Sequence, residues 1–346
     1  MAKIANEEAC RQQIMDELNR RKELHQAFWE RRNASPLIGY SPGPYFISYR
    51  YEAAEKLLAR ETVVEPHMLL PGEFIADYER FYEESMRIGG DLFYTPEPFP
   101  GIPWIEAISG AAVEGNVSSF VAHPAKSHGN GKAWLDKYAD FCRAITTSGK
   151  GRYICGQPIL RGPADTLGTL TGQQNMIYDM FDDPNGTKKA LNRYADTFLS
   201  VIDLTRASAG KLLGGSCMGF YHLWCPGNCL WFQDDLTSLM SPKLYETTLI
   251  DAHRRLGGQA EYTMMHLHMA SEFVIDYLLE MDGLKAIQIN KDIGGPPLSD
   301  MLPRLKSVLK RKNLVLWGDF TQPELDLLKH ELNPEGLYII VFAADK

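Results

Sequence analysis

His266 and His268 stand one residue apart and are the pair in this sequence best suited to chemistry. On an extended segment, positions i and i+2 point to the same side. Two neutral imidazoles on one side can hold a divalent cation, and either can move a proton near neutral pH. Two ligands do not complete a metal site. For the third the sequence offers Asp235, Asp319, Glu261 or one of Cys217, Cys225 and Cys229. The plain alternative is one histidine oriented by a carboxylate and a second facing water at a helix start. Further polar residues follow other short apolar runs in the same way: Arg161 and Asp165; Gln233, Asp234 and Asp235; Gln288, Asn290, Lys291 and Asp292; and Asp319. Alone, each reads as a solvated loop residue or a helix cap. Together they place an active site at the C-terminal ends of successive strands, the face on which barrels build such sites.

The elements that must carry these residues begin near residue 150, where short apolar runs alternate with longer helical stretches. That rhythm is the signature of βαβ units around a parallel sheet. It predicts strands over 153–160, 229–233, 262–266, 285–290, 314–317 and 337–342. It predicts helices over 165–181, 184–207, 271–281, 299–312 and 323–332. A further helix opens at Ser241-Pro242, with Ser as N-cap and Pro at the first helical position, and stops at Gly257-Gly258. An unbroken series of parallel strands favours an α/β fold of the TIM (β/α)8 barrel type. An open doubly wound sheet lacks support, because no Gly-x-Gly-x-x-Gly follows a first strand. Residues 4–32 read as one long helix and 52–60 as a second, while the proline-rich 96–103 reads as a rigid loop or lid. The chain is thus expected to be one domain over 1–346, with 1–84 as an N-terminal helical extension.

Composition narrows the function classes. Lys plus Arg number 36 against 44 Asp plus Glu, a formal charge of −8, which argues against a nucleic-acid-binding surface. No apolar run is long enough to span a membrane, and the first residues are polar. The expectation is a cytoplasmic protein whose 6 cysteines are reduced thiols. Tyr94, Phe99, Trp104, Tyr221, Trp224, Trp231 and Phe232 read first as core, and as pocket walls for a flat or apolar ligand in the alternative.

Three stretches carry a family resemblance. They are Arg161-Gly162-Pro163-Ala164-Asp165-Thr166-Leu167 with Thr171-Gly172 and Asp182-Asp183-Pro184; Asp234-Asp235 followed by Met240-Ser241-Pro242-Lys243-Leu244-Tyr245; and His266-x-His268. Together these look like the uroporphyrinogen decarboxylase superfamily, over roughly residues 85 to 343. The resemblance implies a TIM barrel, a homodimer, and one of two chemistries. The decarboxylases need no cofactor and use N-terminal arginines for substrate carboxylates. Their Met-Arg-Gln-Ala-Gly-Arg motif is absent here, and Arg31, Arg32 and Arg50 stand in a different context. The methyltransferases of the superfamily exchange methyl groups with a corrinoid carried by a partner protein, and hold zinc through His-x-Cys and a distant Cys. His266 matches that histidine, His268 stands in place of the first Cys, and no Cys follows Cys229.

The first expectation is therefore a corrinoid-linked methyltransferase acting on a small substrate, with Asp235, His266 and Asp319 catalytic and His266 and His268 on zinc. Asp91, Tyr94, Arg161, Asp165, Gln233, Gln288 and Asn290 would bind substrate. The alternatives are a decarboxylase and a barrel that only binds a ligand or a corrinoid protein. Finally, the apolar run Leu337–Phe342 needs cover on both faces. The N-terminal helices packed across the barrel seam, or a second subunit, would provide it.

Overall fold

Side-chain alternation along five apolar runs decides where the core sits. The computed structural model describes residues 2–41, 48–59, 62–124 and 130–342. Its strands are β1 (Leu37–Ser41), β2 (Val63–Val64), β3 (Ala112–Asn116), β4 (Ser119–His123), β5 (Ser216–Met218), β6 (Leu223–Cys225), β7 (Cys229–Gln233), β8 (Tyr262–Leu267), β9 (Ala286–Lys291), β10 (Asn313–Gly318) and β11 (Leu337–Phe342). Six of them form a parallel sheet in the order β1-β11-β10-β9-β8-β7. Helices connect the successive strands from β7 onward. The antiparallel ribbon β2-β3-β4 and the pair β5-β6 stand apart.

One face of the sheet carries Leu230, Phe232, Met265, Leu267, Ile287, Ile289, Leu314, Leu316, Leu337 and Ile339, all buried in the main core with the helices. The opposite face carries Trp231, Met264, Ala286, Val315, Tyr338 and Ile340, which pack with Phe28 and Trp29. On that second face Gln233, His266 and Gln288 share one register level, since Gln233 pairs with His266 and His266 with Gln288. Both faces are buried, so the strands read as continuous apolar runs, and the polar residues are confined to their C-terminal ends.

The helix Ala2–Trp29 sits at the other end of the strands. Asn313, the first residue of β10, donates to the carbonyls of Phe28 and Trp29. The indole of Trp29 meets Tyr262, the first residue of β8, at 5.0 Å. The apolar run of β11 finds its cover within the chain. It lies between β1 and β10, and Leu337, Tyr338, Ile339, Ile340 and Val341 are all buried. The helix Ile75–Ile88 packs on β1.

Several elements differ from the sequence expectation for physical reasons. Residues 153–160 form no regular strand. Pro158 removes a ladder donor, and the Gln157 side chain does the work of a backbone neighbour, exchanging hydrogen bonds with both the N–H and the carbonyl of Trp231. Single parallel bridges, Gln157 with Met218 and Arg161 with Gln233, keep this segment beside β5 and β7. The expected helix 165–181 is two, Pro163–Thr171 and Gln173–Asp182, broken at Gly172 with φ 91°. The Ser241-capped helix is likewise two, Pro242–Thr248 and Ile250–Gly257. The expected helix 52–60 is a 3-10 helix, Glu52–Leu57, and Arg60 lies outside the described residues. β1 was not anticipated. It joins the sheet through β11, and an irregular segment continues its other edge, with Gly39 bridging Gly90 and Asp91 N–H donating to Ile38.

Candidate metal centre

Because His268 keeps an extended backbone just past β8 (φ −94°, ψ 151°), its ring stays on the side of His266. The two rings stand perpendicular with centroids 4.7 Å apart. Asp235 enters from the end of the adjacent β7. Its Oδ1 lies 3.7 Å from His266 Nε2 and 3.8 Å from His268 Nε2. Among the described residues, Asp235, His266 and His268 form the group of ligand-bearing side chains whose atoms lie within 4.8 Å of one another.

The other ring nitrogens are committed. His266 Nδ1 donates to Gln288 Oε1, and Tyr221 also donates to Gln288 Oε1, at 2.8 Å. The same Tyr221 oxygen is 3.1 Å from His266 Nδ1. The Gln288 amide donates in turn to Asn290 Oδ1 at 2.9 Å. His268 Nδ1 donates to Asp292 Oδ1 at 2.7 Å. Each Nε2 is therefore left with a lone pair directed at Asp235. Burial keeps His266 neutral by lowering its pKa, and burial raises that of Tyr221, which stays a donor.

These residues fit a metal ion. Separations of 3.7 and 3.8 Å are too long for hydrogen bonds. They are close to the roughly 3.4 Å that separates N and O ligands on a tetrahedral zinc with bonds of about 2.1 Å. Two imidazoles and a carboxylate, with each imidazole's outer nitrogen held by an acceptor, are a known donor set for zinc and for ferrous iron.

The position of Asp235 depends on two buried neighbours. The Asp165 carboxylate accepts from the N–H groups of Asp235 and Leu236 at 3.0 and 2.9 Å. Asp234 Oδ1 accepts from the N–H of Asp165 at 2.8 Å. Asp234 Oδ2 meets His253 Nε2 at 2.8 Å, and His253 Nδ1 meets the Tyr245 hydroxyl at 3.0 Å. Burial pushes both carboxyls up and the His253 imidazole down to about 3. Asp165 thus holds the backbone beneath Asp235, where the sequence suggested contact with substrate.

The remaining expected residues divide by position. Gln233 Nε2 lies 3.4 Å from Asp235 Oδ2, and Gln288 and Asn290 stand behind His266. Arg161, beside Gln233, is half-exposed and paired with the fully buried Glu106 at 2.7 Å. Asp319 is exposed after β10, and its backbone carbonyl accepts from Lys291 at 2.6 Å. Tyr94 lines a separate cavity and donates to Tyr78 O at 3.1 Å. Asp91 lies at the far end of β1, where it accepts from Ile38 N–H and meets Arg20 of the first helix. Arg31 bonds the carbonyl of Leu309, Arg32 pairs with Glu30, and Arg50 pairs with Glu84. Asp292 stood among the polar residues expected at the strand ends and Tyr221 among the possible pocket walls, but neither was expected to orient a histidine. The i, i+2 pattern marks the two rings, but no local spacing marks partners contributed by separate loops.

No protein-family model and no curated protein sequence matches the chain. Among solved structures it is similar to a methyltransferase from Methanosarcina mazei. The likeness covers 90% of this chain and 89% of that one, with a TM-score of 0.58 at 13% identity. At that identity the likeness establishes the fold the two chains share.

Proposed function

We propose that the chain is a metal-assisted methyltransferase of the uroporphyrinogen decarboxylase superfamily. In this reading the parallel sheet belongs to a (β/α)8 barrel, with the irregular segments around residues 90–97 and 153–161 standing where regular strands would complete the ring. The observation that carries the reading is the convergence of two imidazole Nε2 lone pairs on one Asp235 oxygen. It lies on a fold similar to that of a methyltransferase along most of its length. Asp235, His266 and His268 would hold zinc. A zinc ion with an open position makes a bound acceptor a better nucleophile at neutral pH. Gln288, Tyr221 and Asp292 keep the imidazoles in the ligating tautomer. Arg161, restrained by Glu106, offers a cation beside Asp235 to an anionic part of a substrate. The other party to the transfer would be a corrinoid protein docked over the strand ends.

The test is metal analysis of protein purified without chelator, followed by zinc titration. About one zinc per chain is expected, and it should be lost in His266→Ala and Asp235→Ala. His266→Ala should change stability by only about 1–2 kcal/mol. Wild-type protein that neither retains nor takes up zinc would overturn the metal assignment.

A further inference from the structure

Beside the metal cluster lies a second polar feature that the methyl-transfer reading does not use. The irregular segment Pro96–Pro98 buries the Glu97 side chain, which is 4% exposed. Its Oε2 has no hydrogen-bond partner among the described residues. The carboxyl lines a cavity of about 20 Å³ together with Thr95, Tyr94, His222, Phe220 and Trp317. By this measure a single water needs about 10–15 Å³, so the space suits a guest of one or two non-hydrogen atoms. No Lys or Arg is among the described residues lining it.

The surroundings say what sign of guest is missing. A buried carboxyl with no partner leaves its desolvation uncompensated. Burial also pushes Glu97 well up, so the carboxyl keeps its proton until a cation beside it releases that proton to solvent, and holds His222 down to about 3, neutral and unable to serve as counter-ion. His222 Nδ1 faces Thr95 N–H at 3.4 Å. His222 sits at φ 47° in the left-handed region, where few side chains other than glycine settle, so the turn is held in a costly shape with its ring in this wall. Most of the remaining wall is aromatic, with Ser41 and Pro96 beside the rings. Tyr94 packs on His222 with centroids 5.1 Å apart, and Phe220 on Trp317 at 5.6 Å. Aromatic rings around one carboxylate are the recognition chemistry of organic ammonium ions, in which the carboxylate supplies the charge and ring faces the cation–π attraction.

We propose that this cavity is a binding site for a small ammonium cation of methylammonium size, with Glu97 as its counter-ion. Phe220 ties it to the metal cluster, because the next residue, Tyr221, contacts both His266 and Gln288. The assignment stands on the cavity alone and does not depend on zinc or on methyl transfer.

The test is isothermal titration of the whole chain with methylammonium chloride and ammonium chloride, with methanol as the neutral match in size. The titration is repeated on chelator-treated protein so that failure of the metal reading is seen separately. Saturable binding of at least one ammonium salt is expected, with and without metal, together with no saturable binding of methanol. Glu97→Gln, checked for an unchanged far-ultraviolet circular dichroism spectrum, should weaken it at least tenfold. Phe220→Leu, which keeps an apolar wall but removes a ring face, should weaken it severalfold. No saturation by either salt, unchanged affinity in Glu97→Gln, or methanol binding as tightly as the cation would each overturn the proposal.

Discussion

At the scale of single residues, the chemistry of the cluster is set by groups that never touch the proposed metal. Asp292 fixes His268 in the tautomer with Nε2 unprotonated, as Gln288 does for His266. Removing such an outer partner commonly costs a metal site 10–100-fold in affinity. We expect Asp292→Ala to weaken zinc binding by about that factor, measured by competition with a chromophoric chelator, while the melting temperature of the metal-free protein changes little because Asp292 is only partly buried. Asp165→Ala should act differently. It strips acceptors from two N–H groups, and unsatisfied buried donors cost about 1–3 kcal/mol. Urea denaturation of Asp165→Ala should show that loss in the apo protein, with a parallel loss of zinc affinity. A drop in affinity without a change in stability would contradict the role assigned to Asp165.

At the scale of elements, the strands carrying Asp235, His266 and His268 were legible because burial on both faces leaves continuous apolar runs. β7, β8, β9, β10 and β11 appear within about one or two residues of their sequence-predicted limits. β1 was missed because Leu37–Ser41 includes a central glycine and offers a short run with little contrast. Residues 153–160 were read as a strand because the run is mostly apolar, although toward Trp231 of β7 the backbone pairing is replaced by the Gln157 amide. The site was half legible for a related reason. Spacing reveals ligands on one strand, whereas Asp165 acts on residues 70 positions away. The contact between the start of the Pro163–Thr171 helix and β7 is tight. A Cβ added at Gly162 would stand 2.0 Å from the carbonyl oxygen of Gln233 and 2.6 Å from Asp234 Oδ1. Gly162→Ala must displace one segment from the other, and we expect a loss of about 1–3 kcal/mol in thermal or urea unfolding. A neutral result would show that this junction is looser than described.

At the scale of the whole molecule, a neutral histidine fastens the first helix to β6 and to the irregular segment that begins at Asp91. His25 Nδ1 accepts from Trp224 N–H at 3.0 Å, and its Nε2 donates to the carbonyl of Asp91 at 2.7 Å. Burial holds its pKa down to about 4, whereas an unfolded histidine protonates near 6.5. Between those values the unfolded chain binds the extra proton. Stability from this group is therefore complete above pH 6.5 and is lost as the pH falls toward 4, by an amount on the order of 3 kcal/mol. Since Gln can both accept and donate here, the melting temperature of His25→Gln should fall less steeply than that of wild type between pH 6.5 and 4.5. Identical slopes would remove His25 from the acid response.

The irregular segments 90–97 and 153–161 also divide the molecule by local stability. They are held to their neighbours by isolated bridges, single backbone hydrogen bonds and one glutamine side chain, while β7, β8 and β9 share full backbone ladders. Segments with few ladder bonds open at lower free energy than the sheet they adjoin. Amide exchange should accordingly be faster at 90–97 and 153–161 than in β8 and β9. These segments carry Tyr94, Glu97 and Arg161, and the ladders carry His266 and Gln288. A guest of the proposed Glu97 site would thus enter through a local opening that leaves the histidine pair in register, so its exchange and the retention of the proposed metal would run on separate clocks.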